Sequence, residues 1–150
     1  MNDQLAQQVL QALASLTVRE ICVCAGARSA PLVLLLERCE NVKVYSFFEE
    51  RSASFFALGR MLQSGLPVAV ITTSGTAAAE LLPAAIESTY QNLPLIMVTA
   101  DRPRNFRGSG APQSIEQVGL FSHYVELALD ISADDQDWSL NQWQGQGPLD

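Results

Sequence analysis

Positive charge is scarce in this chain: of 150 residues only Lys43 and eight arginines are basic, and the formal net charge is −7. A surface that neutralises a phosphate backbone needs a basic stripe, so nucleic acid is excluded as a partner. Histidine occurs once, at His123, beside Phe121 and Tyr124, a setting that suits a structural residue better than a general base. The three cysteines, Cys22, Cys24 and Cys39, make neither a zinc spacing nor a redox motif; Cys22 and Cys24 would share one face of a strand as buried thiols. No apolar run reaches the length of a membrane span and the start, Met1-Asn2-Asp3-Gln4, has no leader character, so a cytoplasmic location is expected. The usual nucleotide fingerprints, a Gly-Lys-Ser/Thr loop or Gly-x-Gly-x-x-Gly after the first strand, are also missing.

What is present is apolar. Hydrophobic residues make up 48% of the chain against 17% charged, enough for a buried core in one domain of this length. Leu5, Val9, Leu10, Leu13 and Leu16 recur at helical spacing over residues 3 to 16, and Glu20 to Ala25 then reads as a short buried strand. Ser29 is placed to cap a helix whose first turn holds Pro31, where a missing N–H is harmless. The unit recurs with strands at 42 to 47, 68 to 72 and 95 to 99, and helices at 50 to 63 and 76 to 90. Gly65-Leu66-Pro67 and Asn92-Leu93-Pro94 mark the joints. This alternation predicts an α/β, doubly wound, mainly parallel sheet with helices on both faces, its ligands approached at the carboxyl ends of the strands.

Beyond Thr99 a polar loop leads to an expected short helix near Ser114 to Gly119 and an apolar stretch, Tyr124 to Leu129. Residues 130 to 150 hold five aspartates, four glutamines and no basic residue, together with Trp138 and Trp143. They read as a solvated acidic tail or as the truncated end of the domain formed by residues 1 to 129.

Four segments follow directly on strands: Cys24 to Pro31, Phe48 to Ala53, Thr72 to Ala77, and Thr99-Ala100-Asp101-Arg102-Pro103. In a parallel sheet they meet on one rim, bringing small-residue turns, a carboxylate and arginines to one crevice. Taken singly they say little. Ser74-Gly75-Thr76 is either an anion-binding helix start or a capped turn. Glu50 is most simply a first-turn glutamate favoured by the helix dipole and paired with Arg51, with Glu49 pointing to the opposite side. Arg104 and Arg107 read as surface charge.

Jointly, in order and spacing, Gly26-Ala27-Arg28-Ser29-Ala30-Pro31-Leu32, Glu50-Arg51, Thr73-Ser74-Gly75-Thr76-Ala77, Thr99 to Pro103 and Gly110-Ala111-Pro112-Gln113-Ser114-Ile115 resemble the menaquinone-pathway synthases among the thiamine-diphosphate enzymes, over roughly residues 5 to 129. The resemblance implies the amino-terminal, pyrimidine-binding domain of an enzyme that decarboxylates 2-oxoglutarate and adds the succinyl unit to isochorismate. It also implies thiamine diphosphate with Mg2+ or Mn2+ as cofactors. Glu50 would activate the cofactor, with Gly26, Thr73, Ser74 and Gly75 lining the pocket, and Arg28, Arg102 and Gln113 would bind anionic substrates. The family usually has Ser at the position of Ala27 and often Asn at that of Pro112, so two polar contacts are missing here. No residue of this chain matches the family's metal and diphosphate motif. The implied partner is therefore the diphosphate-binding domain of the same enzyme, in a homodimer or homotetramer, and the chain alone would be inactive. An acetolactate-synthase-like fragment, a non-catalytic interaction module and an unrelated nucleotide-binding protein are the alternatives.

Overall fold

The computed structural model describes residues 1–133. Helix α1 (Asp3–Ser15) opens on Asn2, whose side-chain oxygen accepts from Leu5 N at 2.9 Å. It is followed by β1 (Glu20–Cys24), α2 (Ala30–Leu36), β2 (Lys43–Phe47), α3 (Glu50–Ser64) and β3 (Val68–Thr72). Two short helices, α4 (Thr76–Ala79) and α5 (Leu82–Tyr90), lead to β4 (Leu95–Thr99), and a 3-10 turn covers Arg104–Phe106.

All strand pairs are parallel, in the order β2-β1-β3-β4. The register runs from Glu20 opposite Lys43 and Val68 to Thr72 opposite Thr99. Side chains of successive strand residues point to opposite faces, and both faces are apolar. Cys22, Cys24, Val68 and Val70 pack with Ala53, Ala57 and Met61 of α3 and Ala84 of α5. Ile21, Val23, Ala69 and Ile71 pack with Ala6 and Leu13 of α1 and Leu32 and Leu36 of α2. The expected doubly wound sheet is thus present, and Cys22 and Cys24 do share a buried face.

Two helices differ from expectation. The span 76 to 90 is broken in two because Pro83, at the first turn of α5, has no N–H to offer Ala79 O. Bonding instead tightens at Leu81 N to Ala78 O, 3.2 Å, and restarts with Ala85 N to Leu81 O, 2.9 Å. No helix forms near Ser114 to Gly119: Gly119 takes φ 77°, and single turns follow, as in Leu120 N to Gln117 O at 3.1 Å. That segment lies across the β3 rim instead, as described below. The expected tail lies outside the described residues from 134 onward, Trp138 and Trp143 included. Among the described residues no helix is long and apolar enough to cross a membrane.

Candidate active site

Strand β1 connects onward to β2 on one side while β3 lies on its other side, so the sheet's switch point falls between the loops leaving β1 and β3. Those loops touch. A Cβ built on Gly26 would stand 2.5 Å from Thr73 Cβ, so only glycine lets the β1 loop lie this close. Ser29, expected to cap α2, makes no side-chain cap bond there. Its fully buried hydroxyl turns back to Gly26, accepting from Gly26 N at 3.1 Å and facing Gly26 O at 3.2 Å. The serine therefore clamps the loop that carries Arg28, which sits half-buried in the turn.

The turn after β3 is held from the far side of the rim. Gly75 has φ 82° and ψ −142°, a conformation open to glycine alone, and a Cβ there would lie 2.8 Å from Gln113 Cγ. Ser74 Oγ donates to Gln113 O, and Gln113 Nε2 donates to Ser74 O, both at 3.0 Å. Gly75 N donates to Gln117 Oε1 at 2.8 Å, and Gln117 Nε2 reaches Ala100 O at 3.5 Å. The Gly75 N–H is thus taken by Gln117, and α4 has no side-chain cap bond at Gly75. Gln117 braces this turn without having been marked by the sequence; its partner lies 42 positions away, and no local pattern points to it.

Glu49 and Glu50 have separate roles. Glu49 is the N-cap of α3, accepting from Arg51 N at 3.1 Å and Ser52 N at 2.6 Å. These bonds, those to Ser52 foremost, hold its carboxyl below the ordinary value. Arg51 pairs with Glu49, at 3.8 Å, rather than with Glu50 as the simplest sequence reading had it. Glu50 instead walls a cleft of about 410 Å³ with Cys24, Ala25, Val33, Phe47 and Phe48. Phe48 projects fully into solvent at its mouth. The Cys24 thiol is pushed up to about 11, chiefly by burial and further by the charges of Glu50 and Glu49, so it is no nucleophile at neutral pH.

On the β4 side, Arg102 Nη2 donates to Pro112 O at 2.5 Å, while its Nε is buried without a hydrogen-bond partner. Arg104 and Arg107, read as surface charge, are not free-standing. Both grip Asp130, Arg107 through two bonds of 2.9 and 2.6 Å and Arg104 through Nε at 3.2 Å. Asp130, grouped with the tail on sequence, is therefore docked on the domain. His123 is exposed, its ring edge toward Tyr124.

The cleft that holds the half-buried Glu50 is walled by β1, β2 and α2, and Gly26, Arg28, Thr73, Ser74, Gly75, Arg102 and Gln113 are not part of its lining. No trio of His, Cys, Asp or Glu among the described residues could hold a metal ion.

Residues 3–120 match the family described as thiamine pyrophosphate enzyme, N-terminal TPP binding domain, and the chain belongs to that family. Its similarity narrows further. Over 99% of its length it is 60% identical to the 2-succinyl-5-enolpyruvyl-6-hydroxy-3-cyclohexene-1-carboxylate synthase of Bdellovibrio bacteriovorus, covering 28% of that protein. Proteins of the same name match from Akkermansia muciniphila, 51% identical over 85% of this chain and 24% of the relative, and from Chloroflexus aurantiacus, 45% over 85% and 22%. The chain thus spans about a quarter of the length of these relatives.

Proposed function

We propose that this chain is the pyrimidine-binding part of a thiamine-diphosphate-dependent transferase that decarboxylates 2-oxoglutarate and adds the succinyl unit to isochorismate, in menaquinone or phylloquinone biosynthesis. The observation that carries the reading is the position of Glu50 on the cleft wall while its neighbour Glu49 is consumed as a helix cap. Thiamine diphosphate, when bound, supplies the carbanion chemistry that amino-acid side chains cannot. Glu50 would hydrogen-bond the pyrimidine nitrogen remote from the thiazolium and hold a proton there, a task for a carboxylate and not for an amide. Gly26, Thr73, Ser74 and Gly75 lie outside the lining of that cleft, and the family resemblance assigns them to the cofactor pocket at the rim between β1 and β3. Arg28 and Arg102 are always-charged planar donors suited to substrate carboxylates. Gln113 is assigned to the same substrate side, with its amide nitrogen already bracing Ser74.

Mg2+ or Mn2+ and the diphosphate belong to the partner domain, in a cytoplasmic homodimer or homotetramer. The test is complementation. Mixed with the remaining domains of a related synthase, the chain should restore succinyl transfer to isochorismate, and Glu50→Gln should abolish it. Undiminished transfer by the Glu50→Gln mixture would sink the assignment.

A further inference from the structure

Arg107 joins two carboxylates on opposite sides of its guanidinium. Nη1 and Nη2 donate to Asp130 Oδ2 and Oδ1 at 2.9 and 2.6 Å, a bidentate fork. Its Nε, buried and without a hydrogen bond, faces Asp101 Oδ2 at 3.6 Å. The other Asp101 oxygen, Oδ1, accepts from Arg102 N at 2.7 Å. One carboxylate thus has one oxygen on the backbone of Arg102 and the other against Arg107. Arg107 and Asp101 side chains keep only 23% and 16% of their exposure, so solvent screens their attraction only in part.

We propose that Arg107 is a positioning residue for anionic substrate: through Asp101 it fixes the backbone of Arg102, and hence the direction in which the Arg102 guanidinium, braced at Nη2 by Pro112 O, presents its remaining Nη hydrogens. This rests on the assignment of Arg102 as a substrate-carboxylate contact. Asp130 holds Arg107 from behind, so the guanidinium cannot turn away from Asp101 without breaking two short bonds. Loss of Arg107 frees the Asp101 carboxylate to rotate and loosens Arg102. A bidentate contact depends on angle as well as distance, so the loosening weakens substrate binding without touching the chemistry at Glu50.

The test uses the full chain mixed with the remaining domains of a related synthase, with KM for 2-oxoglutarate and for isochorismate measured separately from kcat. Arg107→Ala should raise one of the two KM values by about tenfold and leave kcat within about twofold, the pattern of lost ground-state and transition-state binding alike. Arg107→Lys, a point charge that cannot fork onto Asp130 and still face Asp101, should give a smaller rise. Arg104→Ala, which thins the grip on Asp130 and spares the Arg107 contact with Asp101, should leave both KM values in place. If Arg107→Ala does not fold, Asp101→Asn decides, since it keeps the shape and removes the charge that Arg107 faces; the same rise is expected. Both KM values within about twofold of wild type, a fall in kcat alone, or an equal effect of Arg104→Ala overturns the proposal. A wild-type mixture that transfers no succinyl group overturns the assignment of Arg102, and the proposal with it.

Discussion

Gly26 lies against Thr73 so closely that a Cβ on the glycine would stand 2.5, 2.7 and 2.8 Å from Thr73 Cβ, Cγ2 and Oγ1. The contact closes the switch point between β1 and β3, and neither side can yield easily. Thr73 is buried, with its carbonyl accepting from Thr72 Oγ1 at 3.1 Å, while Gly26 is held by the Ser29 hydroxyl.

Gly26→Ala should therefore force the two loops apart. Overpacking of this kind costs about 1–3 kcal/mol, which urea unfolding of the variant would register as a lower midpoint. A midpoint equal to wild type would mean that the loops are free to part.

Thiol chemistry should separate the three cysteines. Cys22 and Cys24 are pushed up to about 12 and about 11, in both cases mainly by burial, whereas Cys39 is half-buried with its Sγ toward Leu35 O. At pH 8 the two strand thiols would be ionised to about one part in a thousand or less. A disulfide-exchange reagent should titrate one thiol in the native chain and all three in denaturant. Rapid reaction of two or more native thiols would contradict the packing of β1 against α3.

Glu20 ties the start of β1 to α3: Arg60 Nε and Nη2 donate to its two oxygens, each at 2.6 Å. That hydrogen bonding is the main reason its carboxyl lies below the ordinary value of 4.5. A carboxyl lowered on folding stabilises the native state fully above its unfolded value, and the contribution disappears as pH falls through the lowered one. Glu20→Gln should thus have a lower urea midpoint than wild type near neutral pH, with the two curves converging as pH falls below 4.5 and through the lowered value. A gap that stays constant into acid would assign the effect to packing rather than charge.

The strands and the helices between them were readable because β3, Val68–Thr72, is apolar on both faces and its joints are marked by Gly65 and Pro67. The rim itself was readable only as a set of segments in order. What escaped were contacts whose partners are remote in sequence, such as Gln117 on Gly75 and Asp130 on Arg107, which arise from tertiary closure and leave no local periodicity. The Ser29 hydroxyl escaped for a different reason. A serine before a helix satisfies the capping pattern, yet the neighbouring turn offered it Gly26 as a closer partner. Pro83 was a legible stop inside the expected helix 76 to 90, and its missing N–H did end one helix and start another.

Adjacent carboxylates allow the sharpest separation of stability from function. Glu49 accepts two backbone N–H groups at the start of α3, so Glu49→Ala should lower the unfolding midpoint while its mixture with the remaining synthase domains keeps succinyl transfer at temperatures where it is folded. Glu50 stands on the cleft wall and is not the cap, so Glu50→Gln should unfold close to wild type and lose transfer. The two variants thus exchange phenotypes across a single peptide bond. If Glu49→Ala abolished transfer while Glu50→Gln retained it, the activating carboxylate would be Glu49, and α3 would have to begin in a different way from that described.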